Sequence, residues 1–132
     1  MDGAAKPLRL RLPRSSRLKR KSDFDRTRAQ GRRLVSGCLV VNLRPRTEGG
    51  WSRLGVVAGR NIGNAPVRSR ARRLLRESFR LHQRQFGQPL DVVLVARASI
   101  AGKKLAQVEE DFLRALKQAR VMAGPLRESQ AH

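Results

Sequence analysis

The 132-residue chain fits a single domain, and a hydrophobic content of 39% is enough to bury a core. Thirty Lys and Arg against ten Asp and Glu leave a net charge of +20, so a polyanion is the expected partner, nucleic acid before an acidic protein or a membrane. A single cysteine, Cys38, excludes an internal disulfide and a Cys-based zinc site; no apolar run is long enough to span a bilayer, and a cytoplasmic location with no membrane partner is expected.

Residues 1–16 read as a flexible basic tail, 17–123 as one folded domain and 124–132 as a frayed tail. Ser15 or Ser16 is placed to cap a surface helix over 17–30, which Gly31 stops and Leu18 pins to the core. Residues 33–44 are extended and β-rich, as one run or as two short strands broken at Gly37. A turn at Thr47 to Gly50 leads into a strand over 52–59, which suggests a hairpin or meander. Asn61, Gly63, Asn64 and Pro66 mark a loop, and a helix over 66–85 carries Pro66 in its first turn. Gly87 and Pro89 end that helix before a buried strand over 91–98. An amphipathic helix over 104–123 then runs to Gly124-Pro125. The order is α-β-β(-β)-α-β-α, a mixed α+β chain or two-layer sandwich whose 66–85 helix crosses between two strands. Right-handed is the usual sense of such a connection.

The charge is lopsided. Residues 1–84 hold 23 basic and 5 acidic side chains, a balance of +18, whereas 85–132 hold 7 and 5, only +2. At about 100° per residue, Val67, Ala71, Leu74, Leu75, Phe79 and Leu81 fall on one arc of the 66–85 helix. Arg70, Arg72, Arg73, Arg76, Arg80 and Arg84 fall almost opposite, with Arg68 at the margin and Glu77 the one acid. Like charges at i,i+4 destabilise an isolated helix, so a chain needing only solubility would mix signs there. A phosphate-binding face accounts for the pattern better than a solvated one. The preceding Gly59 to Ala65 loop adds close backbone approach, Asn side chains and the free N–H groups of a helix N-terminus, though it is no Walker loop.

The run Gly63-Asn64-Ala65-Pro66-Val67-Arg68-Ser69-Arg70-Ala71-Arg72-Arg73-Leu74-Leu75-Arg76 resembles the signature of the bacterial ribonuclease P protein subunit, G-N-A-x-x-R-N-R-x-K-R-x-x-R. Arg17-Leu18-Lys19 with Asp23-Phe24, Leu54-Gly55 and Asp91 to Arg97 extend the resemblance over about residues 15–122. It implies an α+β two-layer sandwich ordered α-β-β-β-α-β-α, like the second domain of ribosomal protein S5, with a left-handed crossover against the usual rule. It also implies a role: with a catalytic RNA, and no obligate protein partner, such a subunit removes the 5′ leader from precursor tRNA. The Mg²⁺ is held largely by the RNA. The residues this places on RNA are Arg60, Asn61, Asn64, Arg68, Ser69, Arg70, Arg72, Arg73, Arg76 and Arg80. A leader-binding cleft is expected to use Arg17, Phe24, Arg28 and Asn42.

Three positions depart from the family pattern. Ser69 stands where the motif has Asn, and Arg28 and Asn42 stand where relatives often have aromatics. With no Tyr in the chain, leader contact is expected to be more electrostatic than stacked. Protein-borne nuclease chemistry finds little support: His132 is terminal, His82 lies on the apolar side of its helix, and Glu109-Glu110-Asp111 point around a helix rather than converging. Cys38 reads as core or edge filler, and Trp51 either stacks on a base or anchors the hairpin. The rivals are a ribosomal or other structural RNA-binding protein, and a DNA-binding regulator. The second lacks the short helix that helix-turn-helix geometry requires before 66–85.

Overall fold

A computed structural model describes residues 17–47 and 50–122; both expected tails, and with them Ser15 and Ser16, fall outside the described residues. The order is α1 (Lys21–Gln30), β1 (Arg32–Ser36), β2 (Leu39–Pro45), β3 (Arg53–Val57), α2 (Ala65–His82), β4 (Leu90–Ala96) and α3 (Leu105–Ala119). The four strands form one sheet in the order β1-β2-β4-β3.

Gly37 and Cys38 separate β1 from β2 as a two-residue turn. Gly37 holds φ +54 there, and a side chain would meet the Asp111 carboxylate. The 33–44 run is therefore two antiparallel strands. The expected hairpin or meander stops at β2, because β3 does not pair with it. Instead β4 inserts between them, antiparallel to β2 and parallel to β3. The composition of β4 explains its central place: six of its seven residues are apolar and only Val95 is not fully buried.

Strand alternation divides the sheet into two faces. Leu34, Leu39, Val41, Leu43, Leu54, Leu90, Val92 and Leu94 point one way and pack with Ala71, Leu75 and Phe79 of α2 and Val108, Phe112 and Leu116 of α3. Each large side chain buried here contributes about 1.5–3 kcal/mol. Helix α1 lies against the other face, with Phe24 on Gly55 and Asp23 3.7 Å from Arg53. A two-layer sandwich thus describes the sheet with α2 and α3, while α1 partly covers the second face.

Two helix ends differ from expectation by about a turn, and α2 passes into a short 3-10 turn at Gln83–Gln85 after ending at His82. α1 starts at Lys21, because residues 17–18 are extended along the outer edge of β3: Arg17 bridges Leu54 in parallel, and Leu18 N–H donates to Leu54 O at 2.9 Å. Leu18 is buried as expected, but as part of this extension. α3 stops at Ala119 because Arg120 takes the left-handed conformation, φ 61, and Val121 N–H closes back on Leu116 O. Val121 and Met122 then run beside Phe86 and Gly87 rather than prolonging the helix.

Candidate RNA-binding surfaces

The loop between β3 and α2 is shaped by its small and amide residues. Gly63 holds φ +149, closed to other residues, and a Cβ there would press on Val67 at 3.1 Å. Asn64 then caps α2, its Oδ1 accepting from Val67 N–H at 3.2 Å, and Pro66 follows within the first turn. Part of Asn64 is thus committed to the fold. Asn61 is exposed beside Gly59, next to exposed Arg60.

Along α2 the arginines fall into two groups. Arg68 donates to Gly63 O at 2.9 Å and Arg70 to Lys103 O at 2.8 Å, bracing the fold, while Arg80 pairs with Glu77 one turn away on the same helix. The Arg80 hydrogen bond holds the Glu77 carboxyl below its usual range. Ser69, the hydroxyl in place of the motif's Asn, accepts from Arg72 Nη2 at 3.3 Å and steers that guanidinium. Arg73 and Arg76 point outward and are exposed. Burial, then the neighbouring Arg17 and Arg72 charges, push Arg76 below the usual arginine range.

On the other face, the row Arg33, Asn42, Val93, Gly55 runs under α1. Phe24 is half-buried on it and Thr27 is fully buried. Asn42 is buried too, its Nδ2 donating to Val93 O at 3.3 Å, so it lines the floor beneath α1. Arg28 is exposed on α1. In the adjoining row Val40 is buried, Val95 and Val57 are half-buried, and Val35 at the β1 edge is 48% exposed. Phe24, Arg28 and Asn42 therefore share a face. Arg17 does not: as the parallel partner of Leu54 it projects to the side of α2.

Sequence reasoning missed the valine row and the place of Arg17. Period-two alternation through 33–44 and 53–57 carries the first signal; the second needs the strand-like pairing of residues 17–18. It also missed the ionic hub under the far end of α1. There Asp91, with 1% of its side chain exposed, receives Arg53 Nε at 2.8 Å and Arg44 Nη1 at 3.1 Å. Trp51 is 71% exposed, so its ring does not anchor the hairpin.

The remaining reactive groups serve packing. His82 Nε2 lies 3.0 Å from Glu109 Oε2, tying α2 to α3. Asp111 accepts from Cys38 N–H at 3.0 Å and Arg114 Nη1 at 2.9 Å. Burial, followed by the Asp111 contact, pushes the Cys38 thiol up to about 11. Among the described residues no three His, Cys, Asp or Glu side chains are grouped to hold a metal ion, and Asp91 and Asp111 already carry guanidinium partners. These residues do not fit a protein-held Mg²⁺. Nor is any described helix long and apolar enough to cross a membrane.

A basic α+β chain with an arginine-lined helix on one face of its sheet and a valine row only partly covered by α1 on the other has the character of a small RNA-binding protein. The family model for ribonuclease P matches residues 12–120. The ribonuclease P protein component of Gluconacetobacter diazotrophicus is 35% identical over 111 residues, covering 82% of this chain and 94% of that protein. That of Pelotomaculum thermopropionicum is 36% identical over 104 residues, 79% of this chain and 92% of that one. Among solved structures, the RNase P protein of Staphylococcus aureus is similar with a TM-score of 0.73 at 27% identity, covering 81% of this chain and 97% of that chain. The RNase P protein of Thermotoga maritima gives 0.68 at 29% identity, with 77% and 96% covered. This chain belongs to the ribonuclease P protein family: it is the protein component of the ribonucleoprotein endoribonuclease that processes the 5′ end of tRNA.

Proposed function

We propose that the outer face of α2, with the Gly59–Asn64 loop, binds the catalytic RNA, while the cleft between α1 and the sheet holds the single-stranded 5′ leader of precursor tRNA. The observation that carries this reading is the position of the loop. It leaves β3 directly after Val57, the last valine of the Val35–Val40–Val95–Val57 row, and enters α2 ahead of its first arginines. The two surfaces therefore lie on opposite faces of one sheet and meet at a single connection. A leader lying along the valines runs into the arginine loop, next to the RNA that carries out cleavage.

In this reading the protein supplies no catalytic group. Its cations offset phosphate repulsion that Mg²⁺ must otherwise screen, and the RNA holds the Mg²⁺. The leader contact is one aromatic ring, Phe24, over an aliphatic floor, with Arg28 at the rim, which favours tolerance of leader sequence. A cytoplasmic location, and a left-handed α2 crossover like that of the second domain of ribosomal protein S5, belong to the same reading.

The test is precursor-tRNA cleavage by a cognate ribonuclease P RNA across a Mg²⁺ titration, with and without the protein. The protein should shift the requirement to lower Mg²⁺, and alone it should leave the substrate intact. Superimposable titrations, or a 5′ cut by RNA-free protein, would overturn the reading.

A further inference from the structure

Arg17 lies outside the family motif and on a different element from α2. Its backbone is fixed: it bridges Leu54 in parallel, and the next residue, Leu18, donates to Leu54 O at 2.9 Å. Partners in a parallel ladder point to the same side, and Leu54 faces the core beneath α2. The Arg17 side chain therefore projects past the edge of β3 toward α2, where the charges of Arg17 and Arg72 both act on Arg76. Arg17 and Arg76 are exposed and Arg72 is half-buried. None of the three pairs with an acid among the described residues, unlike Arg80 with Glu77 or Arg53 with Asp91.

Three guanidiniums from two elements, none paired with an acid among the described residues and with Arg17 and Arg72 both repelling Arg76, are better placed with an anion between them. We propose that Arg17, Arg72 and Arg76 form a composite site for one backbone phosphate of the RNA subunit, so that RNA binding also clamps residues 17–18 to the edge of β3. Guanidiniums suit this ligand because their N–H forks match phosphate oxygens. Phosphate between them replaces repulsion with charge-assisted hydrogen bonds. The inference rests on the reading of α2 as the RNA-subunit face. It moves Arg17 from the leader cleft to that face.

The experiment compares wild type, Arg17→Gln, Arg76→Gln and the double variant for binding to the RNA subunit across a salt titration, and for binding of the assembled holoenzymes to precursor and mature tRNA. The Leu18 N–H that holds the segment is backbone, so Arg17→Gln leaves that bond available. Each single variant should weaken RNA-subunit binding about three- to fivefold and lower the salt slope by about 0.7–0.9. Because the phosphate is shared, the double variant should lose less than the product of the two. A loss for Arg76→Gln with none for Arg17→Gln would overturn the composite site and leave the α2 reading intact. No loss for Arg76→Gln would remove that residue from the RNA face and the composite site with it. An Arg17→Gln effect confined to precursor tRNA would return Arg17 to leader binding, also against the proposal.

Discussion

The ring of Phe24 lies directly over the Cα of Gly55: a β-carbon at Gly55 would sit 2.4 Å from Phe24 Cζ. The fit fixes how closely α1 approaches the sheet beside the valine row. Gly55→Ala should force the ring outward and cost about 1–3 kcal/mol, visible as a lower Tm. Phe24→Leu in the same chain should restore part of the loss, because the shorter side chain yields the space. Strictly additive losses in that double variant would show that the two positions are not in contact.

Asp91 presents a second relationship of this kind. It is the buried acid between Arg44 of β2 and Arg53 of β3, and Arg53 continues the chain of charge to Asp23 of α1. Asp91→Asn removes the buried acid that Arg44 and Arg53 share, leaving Arg53 the longer 3.7 Å contact with Asp23, and should cost about 3 kcal/mol by urea denaturation. A loss below about 1 kcal/mol would mean that water already solvates those arginines.

Asp111 sets a pH dependence. Burial would raise its pKa, but the Cys38 N–H and then Arg114 outweigh this and hold the carboxyl below its usual range. A folded-state pKa below the unfolded value contributes stability that is fully present above the unfolded value, about 3.9, and is lost as pH falls through the folded value. The stability difference between wild type and Asp111→Asn should therefore shrink as pH drops below about 4. A difference constant down to acid pH would assign the contact to geometry alone.

Element order and the arginine face were legible because both are written in local periodicity: 3.6 for α2, two for the strands. The strand order was not, since the partner of β3 depends on β4, more than thirty residues away, and on Asp91 lying between Arg44 and Arg53. The side of the sheet toward which Arg17 projects was not legible for a similar reason. An edge extension over residues 17–18 looks like the first turn of a helix when Ser15 and Ser16 offer caps and Leu18 offers an anchor. The wheel grouped Arg68, Arg70 and Arg80 with the outward arginines by angle; it could not reveal that they hold Gly63 O, Lys103 O and Glu77. Asn42 stands out in the sequence only as a strand residue where relatives often have an aromatic; its burial and its Nδ2 bond to Val93 O come from β4, which the local pattern does not place beside it.

On the proposed assignment, opposite faces of one sheet separate RNA-subunit binding from leader binding. The most direct measurement pairs Phe24→Ala with Arg73→Ala/Arg76→Ala, both verified as folded by thermal melting, and compares their affinities for the RNA subunit and, as holoenzymes, for precursor and mature tRNA. Phe24→Ala should weaken precursor tRNA by about 1–3 kcal/mol while leaving mature tRNA and the RNA subunit unchanged. The arginine pair should weaken the RNA subunit and flatten its salt dependence, leaving the preference of the assembled enzyme for precursor over mature tRNA intact. Equal losses across all three ligands for both variants would contradict the separation.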